Sequence, residues 1–143
     1  MSEITIQATA RQVLETLPLT MRIVTAEFRR GQHPIVPAQL GVLFLLSTQP
    51  FNLSSLAEQQ AVSLPTMSNT ITSLVRQGLV QRSRDESDRR MVIIEITPVG
   101  QELLDTILRQ MVARVSQYLD ELSPEELAAL QAGLTIMQTL FTS

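Results

Sequence analysis

Gly78-Leu79-Val80-Gln81-Arg82-Ser83-Arg84 leads into Asp85-Glu86-Ser87-Asp88-Arg89-Arg90, and Met91-Val92-Ile93-Ile94-Glu95-Ile96-Thr97-Pro98 follows. Two strand-like runs flank a charged hexapeptide, which is the pattern of a β-hairpin over 79–96. Asp85 is expected to shape the turn through its side chain, and Asp88 to pair with Arg89 or Arg90. A tip carrying adjacent arginines suits the narrow minor groove of DNA, where guanidinium groups meet enhanced negative potential. Standing alone, the same residues would read as a solvated loop whose ion pairs are worth little. The flanks decide between the two.

Upstream, Ser63 reads as the cap of a helix reaching Gln77, with Met67, Ile71, Leu74 and Val75 forming one apolar stripe. Gly78 ends it in the manner of a left-handed terminating residue. Before it come a Gly31–Pro37 connector, a helix from Pro37 to Ser47 and a turn at Pro50-Phe51-Asn52. Asn52 or Ser54 then caps a short helix over Leu56–Gln60. Two helices joined by a tight turn and followed by a hairpin make a winged helix-turn-helix over 36–97. The 64–77 helix would enter the major groove with its first residues nearest the base edges. Pro65, Thr66, Ser68 and Asn69 are then candidate base readers. Asn69 can bind adenine bidentately, and the Thr66 methyl can meet a thymine methyl. Thr72, Ser73 and Arg76 are candidate phosphate contacts. With Ser63 at the helix start and Arg84, Asp88, Arg89 and Arg90 of the hairpin they complete the expected DNA face.

Long helical patterns flank this unit. Residues 4–30 are amphipathic, with Pro18 a point for a kink or break. Thr97 and Pro98 start a helix to Leu119 with a broad apolar face, and Ser123-Pro124-Glu125-Glu126 is a capping box opening a last helix to Phe141. The expected fold class is mainly α with a small β-hairpin (α+β), a single domain in which 1–35 and 98–143 are helical.

Composition narrows the function. Hydrophobic residues make up 44% of 143, which excludes a disordered chain and allows a sizeable core. Cysteine is absent and His33 is the single histidine, leaving nothing for disulfides or thiolate metal sites and little for zinc; no cofactor is expected. An enzyme constellation is missing too: there is no Gly-rich phosphate loop, and the carboxylates of Asp85, Glu86 and Asp88 sit on a charged tip. The first residues show neither the basic nor the apolar region of a secretory signal, and no apolar run approaches spanning length. The expectation is a cytoplasmic protein without a membrane partner. Net charge is −3, but residues 1–50, 51–97 and 98–143 carry +1, 0 and −4, so the acidity lies in the last helices. Every basic side chain is Arg, a residue that binds phosphate and base edges as a fork.

Leu53-Ser54-Ser55-Leu56-Ala57, Gly78-Leu79-Val80-Gln81-Arg82, the D-x-x-D-R-R of Asp85–Arg90 and Ile96-Thr97-Pro98-Val99-Gly100 follow one another at a spacing that resembles the MarR family of transcription regulators. The resemblance covers nearly the whole chain and is most specific from Gly78 to Gly100. It implies a homodimer interlocked through the first and last two helices. Each winged unit would take half of a pseudo-palindromic operator, with recognition helices ~34 Å apart, usually to repress. It also implies release by a small aromatic carboxylate or phenol, for which Met21, Arg22, Phe28, Arg29 and His33 are candidate contacts, although each also reads as ordinary core or surface. The chain departs from the family pattern at Asn69 and Ser73, where many members carry Arg or Lys. That departure and the charge of −3 keep open an alternative, a protein-interaction module of the same fold without DNA affinity.

Overall fold

A computed structural model describes residues 4–142; residues 1–3 and 143, which belong to the expected 1–35 and 98–143 helical parts, lie outside the described residues. Helix α1 (Ile6–Arg30) begins at Thr5, whose hydroxyl accepts from the Ala8 N–H at 2.9 Å. It runs unbroken through Pro18, against the expected kink or break point. A proline inside a helix forfeits one backbone bond at a cost of about 3 kcal/mol. Here the turn that loses the bond faces solvent, and water can serve its carbonyl.

Helices α2 (Pro37–Leu46), α3 (Leu53–Gln59) and α4 (Leu64–Arg76) form the centre of the molecule. Asn52 caps α3, accepting from the Ser55 N–H at 2.8 Å, and so the helix starts earlier than Leu56. The expected turn at Pro50-Phe51-Asn52 holds a two-residue strand, β1 (Phe51–Asn52), which pairs antiparallel with β3 (Val92–Ile96) through Phe51↔Ile94 and Asn52↔Ile93. Two residues are too few for alternation to appear in a sequence. Strand β2 (Val80–Arg84) pairs with the other edge of β3, from Val80↔Ile96 to Arg84↔Val92, for a sheet order β1-β3-β2. The expected hairpin therefore forms and gains a third strand.

Thr97 caps α5 (Pro98–Leu119), and Ser123 and Glu126 cap α6 (Pro124–Phe141) reciprocally, each side chain bonding the other's backbone N–H. Thr97 does more than cap. Its hydroxyl donates to the Gly78 carbonyl at 2.7 Å while accepting from the Gly100 N–H at 3.0 Å, and its own N–H donates to the Leu79 carbonyl at 3.0 Å. Gly78 has φ +76°, the left-handed conformation that glycine adopts without penalty. One threonine thus binds the end of α4, the start of β2 and the start of α5 together.

The core lies inside the winged unit and the first half of α5. Leu43, Leu56, Ile71, Leu74, Ile94 and Ile107 are wholly buried, one or two from each contributing element. Helix α1 adds only Glu27 and Phe28 near its end, and α6 adds no buried residue among those described.

Candidate nucleic-acid interface

Helix α4 is amphipathic by sequence and packs accordingly. Met67, Ile71 and Leu74 face the core, and Pro65, Thr66, Asn69, Thr72 and Arg76 are exposed. At about 100° per residue, Pro65, Asn69 and Arg76 form an outward stripe with Thr72 on one flank and Ser73 on the other. Ser63 serves the helix itself: its Oγ accepts from the Thr66 N–H at 3.2 Å and its hydroxyl donates to Thr66 Oγ1 at 2.9 Å. Ser68 is half-buried, and its carbonyl accepts the Thr72 hydroxyl at 2.9 Å. Asn69 makes no side-chain hydrogen bond among the described residues, leaving its amide free for an external partner. The flanks are engaged. Thr72 Oγ1 accepts from Arg82 Nη2 of β2 at 2.9 Å. Ser73 is half-buried and accepts from Gln39 Nε2 of α2 at 3.0 Å. Its oxygen is thus engaged within the protein, and its hydroxyl proton alone is left for the phosphate contact expected of it.

In the wing, Asp85 Oδ1 accepts from both the N–H and the hydroxyl of Ser87, so it shapes the turn as expected. Of the two arginines it is Arg90 that pairs with Asp88, whose Oδ1 accepts from Arg90 Nε at 3.3 Å and from its N–H at 3.1 Å. The Arg90 side chain is 94% exposed, so the contact directs the guanidinium more than it neutralises it. Arg84 donates to the Arg89 carbonyl at 2.8 Å and braces the tip from beneath. Arg89 itself is exposed. Recognition helix and wing therefore present Asn69, Arg76, Arg89 and Arg90 outward, with Arg82 between them as a cation the sequence reading had left out. Its position on an exposed strand face carries no signal distinguishing it from Arg84.

The candidate effector contacts are not gathered in one place. Met21, Arg22 and Arg29 are exposed on α1. Phe28 is buried and stacks on His33 with ring centroids 4.8 Å apart, so both rings are taken up in closing the α1–α2 connector. Between α1 and α5 the structure instead opens a cleft of about 520 Å³ lined by Glu27, Arg30, Arg114, Gln117 and Tyr118. Buried Glu27 accepts from Arg30 Nη1 at 2.9 Å, Tyr118 OH at 3.0 Å and Arg114 Nη1 at 3.5 Å. The bond to Glu27, then burial and the carboxylate charge, push the Tyr118 phenol up from its ordinary pKa. Glu27 and Arg30 come from α1 and Arg114, Gln117 and Tyr118 from α5, and no local motif joins the two sets.

Residues 35–92 match the model of the MarR family. Over 100 residues the chain is 31% identical to YfiV, an uncharacterised HTH-type transcriptional regulator of Bacillus subtilis; the match covers 69% of this chain and 62% of that protein. The transcriptional regulator BldR of Sulfolobus solfataricus has a similar structure, with a TM-score of 0.75 and 26% identity over 96% of this chain and 100% of that one. The transcriptional repressor CouR, solved bound to a 23-mer DNA duplex, superposes with a TM-score of 0.72 and 25% identity, covering 97% and 99% of the two chains.

Proposed function

Since the chain belongs to the MarR family, we propose that it is a sequence-specific DNA-binding transcription regulator, a repressor that holds a pseudo-palindromic operator as a homodimer. The observation that carries the reading is the exposure of Asn69 and Arg76 on α4 and of Arg89 and Arg90 on the wing, with Arg82 of β2 bonded to Thr72 of α4. Asn69, with Pro65 and Thr66 beside it, reads base edges in the major groove; Arg89 and Arg90 enter the minor groove; Arg76 and Arg82 meet phosphates. That the similarly folded CouR is solved with a 23-mer DNA duplex supports DNA as the ligand.

Selection of duplexes from a random pool tests specificity and symmetry at once, because a dimer returns two inverted half-sites. Arg90→Ala should weaken binding to many sequences alike. A variant that binds every duplex as well as the parent would remove the wing from the interface. Affinity should fall steeply with salt, as phosphate contacts release counterions. The near cancellation of five arginines by Asp85, Glu86, Asp88 and Glu95 along 76–95 favours a second reading, a protein-interaction module. No duplex binding at low salt would select it.

A small aromatic or phenolic effector completes the proposal. The α1–α5 cleft, with Arg30 and Arg114 at its wall, is a place for a carboxylate; Met21, Arg22 and Arg29 stand exposed on α1. A thermal-shift screen with aromatic acids measures it, since a ligand of the folded state raises the melting temperature.

A further inference from the structure

Gln39 and Glu27 are the two polar or charged side chains buried among the described residues. Gln39 lies in the first turn of α2, where its Oε1 accepts from the Val36 N–H at 3.0 Å. A backbone N–H can only donate, so the amide has one orientation: oxygen to Val36, Nε2 toward α4. Nε2 donates to Ser73 Oγ at 3.0 Å, and Gln77 Nε2 approaches the same oxygen at 3.4 Å. Both acceptor positions of the Ser73 hydroxyl are then occupied from within the protein.

The consequence lies in rotation. Met67, Ile71 and Leu74 hold α4 against the core by apolar contact, which supplies no directional bond to fix the helix's roll about its axis. A roll of about 20° displaces a side chain roughly 6 Å from the axis by about 2 Å, enough to lose a base-edge hydrogen bond. Opposing such a roll takes directional bonds on the flanks of the outward stripe. Arg82–Thr72 supplies one in the exposed flank, and Gln39–Ser73 supplies the shielded one.

We infer that Gln39 is a positioning residue for base recognition: its amide ties the start of α2 to Ser73 and sets the angle at which α4 presents Asn69. The inference rests on the DNA-binding reading above.

The test is a double-mutant cycle on the full chain, using duplexes selected from a random pool by the parent. Gln39→Met and Ser73→Ala each remove the tie. Gln39→Leu, a second apolar side chain of similar size, also removes the donor to Ser73 and stands in if Gln39→Met does not fold. Binding is read well below each variant's melting temperature. Each single variant should lose about three- to tenfold for the selected half-site and less for an unrelated duplex, and the double variant should lose no more than the worse single. Arg76→Ala, by contrast, should weaken all duplexes alike. Variants that melt earlier but keep the parent's affinity and half-site preference would overturn the positioning role. Strictly additive losses would overturn the tie between the two residues. A parent that binds no duplex would overturn the DNA-binding reading itself, and this inference with it.

Discussion

At Gly100 a methyl group would run into the carbonyl oxygen of Leu79, a backbone atom that cannot swing aside. Gly100→Ala should destabilise the chain by about 2 kcal/mol or more, lowering the urea midpoint with little change in slope. Thr97 as cap and Pro98 in the first turn were readable in the sequence, because both act within their own helix. The need for glycine was not, because the obstructing atom belongs to the turn between α4 and β2, distant in sequence. Tyr118 offers a second single-residue test. It is the sole tyrosine and the chain has no tryptophan, so phenolate absorbance reports it alone. Its bond to Glu27 favours the protonated form, so the absorbance midpoint should lie above the usual value of about 10, and Glu27→Gln should bring it down. A parent midpoint at or below the usual value would count against the bond.

Elements whose ends are marked by local chemistry were the readable ones. Ser63, Thr97 and Ser123 each cap the helix they introduce, and the hairpin strands form where the apolar runs stand. What escaped depends on contacts between elements. Strand β1 exists only because β3 offers it an edge, and the internal bond of Ser73 follows from Gln39 across the α2–α4 contact. On a helical wheel Ser73 is as polar as Asn69, and only packing separates them. The separation has a measurable result at α4: Asn69→Ala should alter preference at particular base pairs by about 1–3 kcal/mol, leaving unrelated duplexes unaffected. A uniform loss across sequences would instead make Asn69 a phosphate contact.

Across the whole molecule, apolar surface is distributed unevenly. Leu127, Leu130, Leu134 and Leu140 of α6 are exposed, as are Leu14 and Leu17 of α1, and so these helices present more hydrophobic area than an isolated chain covers. The proposed homodimer would cover it: sedimentation at micromolar concentration should return a dimer, with Leu134→Glu shifting the chain toward monomer and weakening binding to a two-half-site duplex. The apolar faces of these helices were visible in their periodicity. That α6 contributes no buried residue was not, since a buried helix and one with an uncovered apolar face share one pattern. Helix α5 joins the two regions. It has 22 residues, about 33 Å, and Thr97 welds one end to the carbonyl that closes α4. Such a beam has no slack at the weld: a tilt of about 5° at its far end sweeps the near end by about 3 Å, close to the spacing of neighbouring base pairs.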